Sequence, residues 1–396
     1  MASISGQSTA NINQVDGFFT TQGGGVSENP VINSAGVQVS GAGALPYNTA
    51  ITLGFNRSPV VPYNFVSMAA SGQYYQIMAV RDDGTLWAYI LTSVWIQQMN
   101  LPFGQWTQYG TDTDWEQVDS CQNGWGFIIG GAYWYAGYGS FGLRGDGSTT
   151  TIGSPALMNN SFTWTKLAMG AQHLALLNSA GEVYTTGTNS GFATGLGVTT
   201  GTTTTLTREQ TNLTGVTDIA SAYSQTKIVA GGNIYSTGNN QYFCAGPLIS
   251  LSAVDGPVLG YNGGDIDKIF CARDHAVATT TSGGVRHAGE GFARRLDNIS
   301  TDLTGLTGQP NEQFTLLTAA GTGWTYYEAA NTTSSTFVCQ LAIKNGEVYG
   351  SFDNNANVWG NTAGFVYQRI GTFSTATVVM VDLNSFASAN MGITIT

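Results

Sequence analysis

Histidine and cysteine are the residues of this 396-residue sequence best suited to metal binding or nucleophilic chemistry. His173 and His275 each lie six residues after an equivalent apolar position, whereas His287 stands alone. A zinc site needs three or four convergent ligands, and these scattered histidines do not supply them. The four cysteines also lack metal-ligand spacing, so we interpret them as buried free thiols, with disulfides as the alternative. They are Cys121, Cys244, Cys271 and Cys339.

The sequence contains none of the common catalytic motifs. It has no Gly-x-Ser-x-Gly turn, no His-Glu-x-x-His and no glycine-rich phosphate loop with lysine. Its carboxylates are sparse and dispersed. Residues 353–357 and 144–147 are oxygen-rich and could be calcium loops or ordinary turns; neither has the full ligand series of a calcium loop, and we interpret both as turns. We therefore expect no enzymatic activity, no metal and no cofactor.

The sequence repeats with a period of about 50 residues. The pattern apolar-x-x-apolar begins at Phe65, Trp115, Trp164, Val216, Ile266, Phe314 and Tyr367. A second marker, Gly-x-apolar, recurs at Gly84, Gly131, Gly181, Gly232, Gly283 and Gly346. Four short strands with their turns fill a repeat of this size, which is one blade of a β-propeller. Seven anchors predict an all-β, seven-bladed β-propeller.

The two ends of the chain must close such a ring. Residues 31–43 repeat the Asn-Ser-Ala-Gly turn of residues 178–181, and we expect them to complete the last blade together with residues 366–396. This assigns residues 31–396 to the propeller. Residues 1–30 do not fit the repeat and form either a frayed terminus or a polar arm that orders against a neighbouring subunit, anchored by Phe18 and Phe19.

Residues 164–198 carry the repeat most completely. They contain Gly170-x-x-His173 before an apolar strand, then Gly181-x-Val183-Tyr184, then Gly187-x-Asn189. This stretch resembles the repeat of the regulator-of-chromosome-condensation family. The resemblance implies a propeller in which the histidines pack and hydrogen-bond structurally. It also implies nucleotide exchange on a small GTPase with binding to histones and DNA, but no functional residue of the family can be placed on this sequence.

Composition and charge argue against several classes of partner. The net charge is −11 with only 13 Lys and Arg, so we expect no binding to nucleic acid or to acidic membranes. No run of 18 apolar residues predicts a membrane span, and the N-terminus lacks the features of a secretory signal. A lysine-poor all-β chain rich in Gly, Thr, Asn and Ser resembles structural proteins of tailed bacteriophages.

Aromatic residues are concentrated in the first half of the sequence. Trp125, Trp134 and Tyr138 either fill the space between blades or form an exposed stacking surface for sugar rings. The second use requires two or more of them to be exposed together.

The sixth repeat is longer than the others. The distance from anchor to glycine marker is 13 to 16 residues in the first five repeats, but 29 from Leu317 to Gly346. The excess maps to residues 320–335, which we expect to form a loop on the same rim as His173 and His275. It is either a decorative loop or a recognition loop, and its candidate binding residues are Trp324, Tyr326, Tyr327 and Glu328.

These features predict a non-enzymatic structural and interaction protein of a virion, a tail or capsid accessory assembled in the host cytoplasm. Many copies would bind other virion proteins and present one rim to a host-surface receptor or glycan. The first alternative is an intracellular scaffold or small-GTPase exchange factor of the chromosome-condensation repeat family. The second is a glycan-binding or glycan-cleaving propeller.

Overall fold

A computed structural model of the protein describes residues 12–15, 18–21, 31–32, 38–40, 65–71, 76–90, 99, 101–102, 106–121, 124–197, 201–240, 245, 253–271, 275–289, 311–316, 323–331, 338–344, 347–352 and 368–372. The chain divides into two units, Met1–Pro62 and Tyr63–Thr396. In the first unit, β1 (Ile12–Val15) pairs with β2 (Phe18–Thr21) and β3 (Val31–Ile32) pairs with β4 (Gln38–Ser40). The predicted arm lies in this unit.

The second unit contains six antiparallel sheets, each built from four consecutive strands. The first three sheets are β5–β8 (Phe65–Ser71, Gln76–Arg81, Leu86–Ile90, Trp106–Tyr109), β9–β12 (Trp115–Cys121, Gly124–Ile129, Ala132–Gly137, Ile152–Asn159) and β13–β16 (Trp164–Met169, His173–Asn178, Val183–Thr188, Thr202–Arg208). The last three are β17–β20 (Val216–Ala222, Gln225–Ala230, Asn233–Asn239, Ala253–Tyr261), β21–β24 (Ile266–Cys271, His275–Thr280, Val285–Gly289, Asn311–Leu316) and β25–β28 (Trp324–Asn331, Val338–Lys344, Glu347–Phe352, Gln368–Thr372).

The apolar core lies in layers between consecutive sheets. Both faces are buried in the second strands β10, β14 and β18, whose residues are all buried. One layer joins the first and second sheets, and further layers join the second to the third, the third to the fourth and the fourth to the fifth. This stacking of four-stranded meanders through their faces confirms the predicted all-β propeller.

The predicted Gly-x-apolar markers are the turns between second and third strands. Gly84, Gly131, Gly181 and Gly232 have φ of 71–75°, a conformation that disfavours residues with a Cβ. The carbonyl of each glycine also accepts a hydrogen bond from the first residue of the next sheet, at 2.8–3.2 Å. The repeat of the glycine marker in the sequence therefore reflects a hydrogen bond that recurs between neighbouring sheets.

Polar side chains just before the second apolar anchor link the first strands of neighbouring sheets. The Ser67 hydroxyl donates to the carbonyl of Val118 and accepts from its N–H, both at 3.0 Å. One repeat later, the Gln117 amide makes the same two bonds to Leu167, both at 2.9 Å. These side chains lie between apolar anchors in the sequence, which is the signal that could have identified them.

In the third and fourth sheets, the residue before the second apolar anchor is charged and also links neighbouring sheets. Lys166 forms an ion pair with Oδ1 of Asp218, and Oδ2 of Asp218 accepts the N–H of Ile269 at 2.8 Å. Asp218 is buried, so its two oxygens replace lost water contacts with a cation and a backbone donor. We call the set Ser67, Gln117, Lys166 and Asp218 the inter-sheet belt.

The last two predicted anchors are wrong. Phe314 lies in β24, the fourth strand of the fifth sheet, and the anchor at Tyr367 leads into β28, the fourth strand of the sixth sheet. An apolar-x-x-apolar pattern also occurs in outer strands, so the pattern alone does not distinguish the first strand from the fourth. A seventh four-stranded sheet is not found among the described residues. Among the described residues of the predicted closing blade, β3 pairs with β4 and β28 pairs with β27; its other residues lie outside the described ones, so the ring closure stays a prediction.

The described part of the chain contains no helix of the length and apolarity that a membrane crossing would require.

Candidate interaction face

Because every sheet is a meander, the connections fall at two opposite ends of the sheets. The turns from first to second strand and the loops from third to fourth strand share one end, which we call the loop end. The turns from second to third strand share the other, the hairpin end. The loop end contains the longer connections and the predicted histidine position, so it is the candidate interaction face.

Hydrogen bonds from the following sheet hold the loops of the loop end. The Thr186 hydroxyl of the third sheet donates to the carbonyl of Gly142 in the loop of the second, at 2.9 Å. One repeat later, the Thr237 hydroxyl donates to the carbonyl of Phe192, at 2.8 Å. Each of these loops therefore lies over the next sheet and is fixed there.

The Gly-x-Asn motif stabilises the loops from within. Oδ1 of Asn189 accepts from the N–H and the hydroxyl of Thr194, at 3.0 and 2.7 Å. In the next sheet, Oδ1 of Asn240 accepts the N–H of Ala245, also five residues on, at 2.8 Å. The asparagine stabilises the loop because its side-chain oxygen accepts a buried backbone N–H that is not paired in a strand.

His173 is a structural residue, as the resemblance implies. It is 1% exposed, and its Nε2 lies 2.9 Å from the hydroxyl of Thr226 in the next sheet. That hydroxyl also lies 3.0 Å from the carbonyl of Ala193 and 3.0 Å from the hydroxyl of Ser221. Burial lowers the pKa of His173 to about 4, against an opposing hydrogen bond to the backbone of Gln225.

The glycine of Gly-x-x-His is required by the imidazole ring. A Cβ on Gly170 would lie 1.9 Å from Cε1 of His173. The ring therefore packs directly on the glycine backbone, and the two residues form one unit. His275 begins β22 as His173 begins β14, which confirms their repeat equivalence.

Tyr223 is the most exposed large hydrophobic side chain of the described residues, at 47%. It lies in the turn between β17 and β18 with φ of 48°, which is uncommon for a residue other than glycine. Its carbonyl accepts the N–H of Ala171 from the equivalent turn of the third sheet, at 2.8 Å. A strained, exposed aromatic residue held in place by a neighbouring sheet is a feature of binding sites. The sequence analysis did not identify it.

The two ends differ in charge. The hairpin end and the loops beside it expose Asp82, Asp83, Asp112, Asp114 and Glu116. Among the described residues of the loop end, the charged residues are Arg144 and Asp146, which pair with each other. The described part of the loop end is therefore uncharged overall, whereas the hairpin end exposes these five carboxylates.

The predicted sugar-stacking residues do not form a common surface. Trp125 is 2% exposed and belongs to the core between the first and second sheets, so it cannot offer a ring to a ligand. Trp134 packs against the same core, and Tyr138 is half-buried beside Phe141, with ring centroids 5.9 Å apart. This arrangement corresponds to the alternative interpretation, in which aromatic residues fill the space between sheets.

The predicted recognition loop is a strand. Trp324, Tyr326, Tyr327 and Glu328 all lie in β25, the first strand of the sixth sheet, paired with β26. The apparent insertion arises because the first strand of the sixth sheet begins at Trp324 and not at Phe314.

Phe18 and Phe19 begin β2, opposite Val15 and Gln14. The side chains of all six predicted residues lie outside the described residues, so their binding roles stay predictions.

Metal and cysteine predictions have partial outcomes. The described residues include no group of three or more His, Cys, Asp or Glu that could hold a metal ion. Neither Cys121 nor Cys271 forms a disulfide, and Cys121 is buried. The possible calcium loop at residues 353–357 and Cys244 lie outside the described residues. In the other oxygen-rich segment, the Asp146 carboxylate pairs with Arg144 and accepts the N–H of Ser148, as in an ordinary turn.

Comparison with known proteins shows the fold and no more. No protein-family model matches the sequence, and no curated protein matches it. Among solved structures, yeast RCC1 (Prp20) bound to Kap60 is similar, with a TM-score of 0.64 and 15% identity over 81% of this chain and 78% of that one. Saccharomyces cerevisiae Prp20p has a TM-score of 0.61 and 17% identity over 78% of each chain. Human WBSCR16 has a TM-score of 0.60 and 16% identity over 79% of this chain and 83% of that one.

Proposed function

We propose that this protein is a non-enzymatic interaction propeller that binds another protein through its loop end. The observation that carries the proposal is Tyr223, an exposed aromatic residue on a face whose loops are already fixed by hydrogen bonds from the next sheet. Aromatic residues dominate binding energy at interfaces. A face that is ordered before binding loses little conformational entropy on association.

The first candidate within this class is an intracellular scaffold or small-GTPase exchange factor. Likeness to Prp20, which is described by its binding to Gsp1p and histones and in complex with Kap60, supports this candidate at the level of fold. The net charge of −11 disfavours the binding of DNA. The described part of the loop end is uncharged overall and the hairpin end exposes carboxylates, which favours a protein partner at the loop end.

Release of a fluorescent guanine nucleotide from a panel of small GTPases tests the exchange activity. Tyr223→Asn removes the ring while keeping a residue type that tolerates positive φ. Leu157→Ala is the matched control, because Leu157 is 44% exposed on the outer strand β12. We expect accelerated release that Tyr223→Asn weakens and Leu157→Ala does not. No acceleration by the wild-type chain would exclude exchange activity.

The second candidate is a virion accessory protein, a tail or capsid component present in many copies. Its support is compositional: only 13 Lys and Arg in 396 residues, with 53 glycines. The structures named above come from human and yeast and do not support it. Density-gradient sedimentation of the native source tests it. Co-migration with particles in fixed stoichiometry is expected, and recovery only in the soluble fraction would refute it.

A further inference from the structure

Lys227 is a fully buried lysine in the second strand of the fourth sheet. The residue is 0% exposed, and its Nζ has no hydrogen-bond partner. Burying an ammonium group without compensation costs several kcal/mol, so a lysine in this position needs a counter-charge or must lose its own. The corresponding residues of the first three sheets are Met78, Gly126 and Ala175, which carry no charge.

The other cations whose side chains the structure describes do not share this problem. Five of them form ion pairs: Arg81–Asp83, Arg144–Asp146, Lys166–Asp218, Arg208–Glu182 and Arg286–Asp265. Lys268 is exposed and can be hydrated by solvent. Among the cations whose side chains are described, Lys227 is therefore the buried one that the protein leaves without a carboxylate.

Strand alternation places the Lys227 side chain between the fourth and fifth sheets. Thr226 bonds to His173 in the third sheet, so its neighbour Lys227 points the opposite way. Val229, on the same face as Lys227, packs in the layer that contains Ala276 of the fifth sheet.

The facing residues of the fifth sheet are small. Ala276 and Ala278 occupy the positions that Leu174 and Leu176 fill in the third sheet, where they pack against the second sheet. Two alanines in place of two leucines leave more room for the long Lys227 side chain and a small companion.

The carboxylate on the adjacent strand is already engaged. Asp218 pairs with Val229 in the register of β17 and β18, one diagonal step from Lys227. Its Oδ1 pairs with Lys166 and its Oδ2 accepts the N–H of Ile269. Asp218 therefore serves the inter-sheet belt and forms no ion pair with Lys227.

We propose that Lys227 binds a small monovalent anion of the halide class, buried between the fourth and fifth sheets. Water could accept hydrogen bonds from Nζ but would bring no charge, whereas a halide supplies both an acceptor and the missing negative charge. The anion would act as a structural ligand that stabilises the contact between the two sheets. This site is independent of the proposed loop-end function.

Thermal unfolding of the full chain in chloride tests the proposal, with sodium gluconate at equal ionic strength as the reference salt. A ligand that binds only the folded state raises its stability with concentration, and we expect about 2 °C for each tenfold rise in chloride above its Kd. Lys227→Met should abolish the chloride response and raise the midpoint in gluconate. Lys268→Met, which removes an exposed lysine, should retain the response.

Crystals of the wild-type protein grown in bromide provide a second measurement that does not depend on the folding of a variant. An anomalous peak within about 3.5 Å of Lys227 Nζ is expected. Equal chloride responses in the wild type and Lys227→Met would overturn the proposal. So would an ordered water, or no density, in place of bromide beside Nζ.

Discussion

Acidification should destabilise this protein through protonation of His173. The imidazole is buried against Gly170 and Thr226, and its pKa of about 4 lies below the ordinary value of 6.5. The unfolded chain therefore takes up the proton first as the pH falls. The stability that the neutral ring supports is present above pH 6.5 and is lost between pH 6.5 and 4.

The size of the effect follows from the two pKa values. A difference of 2.5 units corresponds to about 3 kcal/mol over the whole window, and to about 2 kcal/mol between pH 7 and pH 5. Urea unfolding at pH 7, 6 and 5 measures it. The matched variant is His173→Gln, because Gln225 occupies the same repeat position in the fourth sheet and is also buried.

The comparison isolates one group. His275 and His287 are unchanged in His173→Gln, and the carboxylates Asp83, Asp146 and Asp265 have lowered pKa values, since hydrogen bonds to each outweigh its burial. Their titration therefore falls below this window. We expect the wild type to lose about 2 kcal/mol more than the variant between pH 7 and pH 5. Parallel losses in both proteins would refute the assignment of a buried neutral imidazole.

Four further substitutions, at three positions, test the packing between sheets. Asp218→Ala should cost about 2–4 kcal/mol in urea unfolding, because it strands the N–H of Ile269 and the Lys166 ammonium, whereas Asp218→Asn should cost less since its amide oxygen can still accept. Gly170→Ala should unfold at lower urea than the wild type, because its Cβ would overlap the His173 ring; equal midpoints would contradict that contact. Trp125→Ala should cost about 3–5 kcal/mol as a core truncation, and a folded variant of unchanged stability would contradict its burial.

The repeat could be read from the sequence because it is enforced by local chemistry. Gly131 and Gly181 mark turns that need positive φ and a carbonyl free to meet the next sheet, so few other residues fit. The same logic fails at Phe314, because the apolar-x-x-apolar pattern also begins within a fourth strand. The length of the fifth sheet's third connection, from Gly289 to Asn311, concealed the shift.

The candidate face was harder to predict. His173 could be assigned a structural role because the motif around it repeats. Tyr223 occurs once, in a turn of the fourth sheet, and its exposure and φ depend on the bond from Ala171 in another sheet. The burial of Lys227 could not be predicted from the sequence either, since a lysine in a strand is ordinarily solvated. The exposure of Tyr223 and the burial of Lys227 both depend on residues of a neighbouring sheet. The sequence of a single repeat does not show these residues.

Each of the four turn glycines accepts a hydrogen bond from the first residue of the next sheet. One whole repeat can therefore be added or removed without changing the kind of contact between neighbouring sheets. Gly131 supplies an acceptor to Trp164, and Gly181 supplies the same acceptor to Val216. Each of the first four sheets therefore supplies its successor with the same backbone acceptor. Duplication or deletion of one whole period would leave each of these backbone N–H donors with an acceptor. Deletion of part of a period would leave one N–H without its acceptor. The number of sheets can thus change in evolution without any change in the chemistry of their joints.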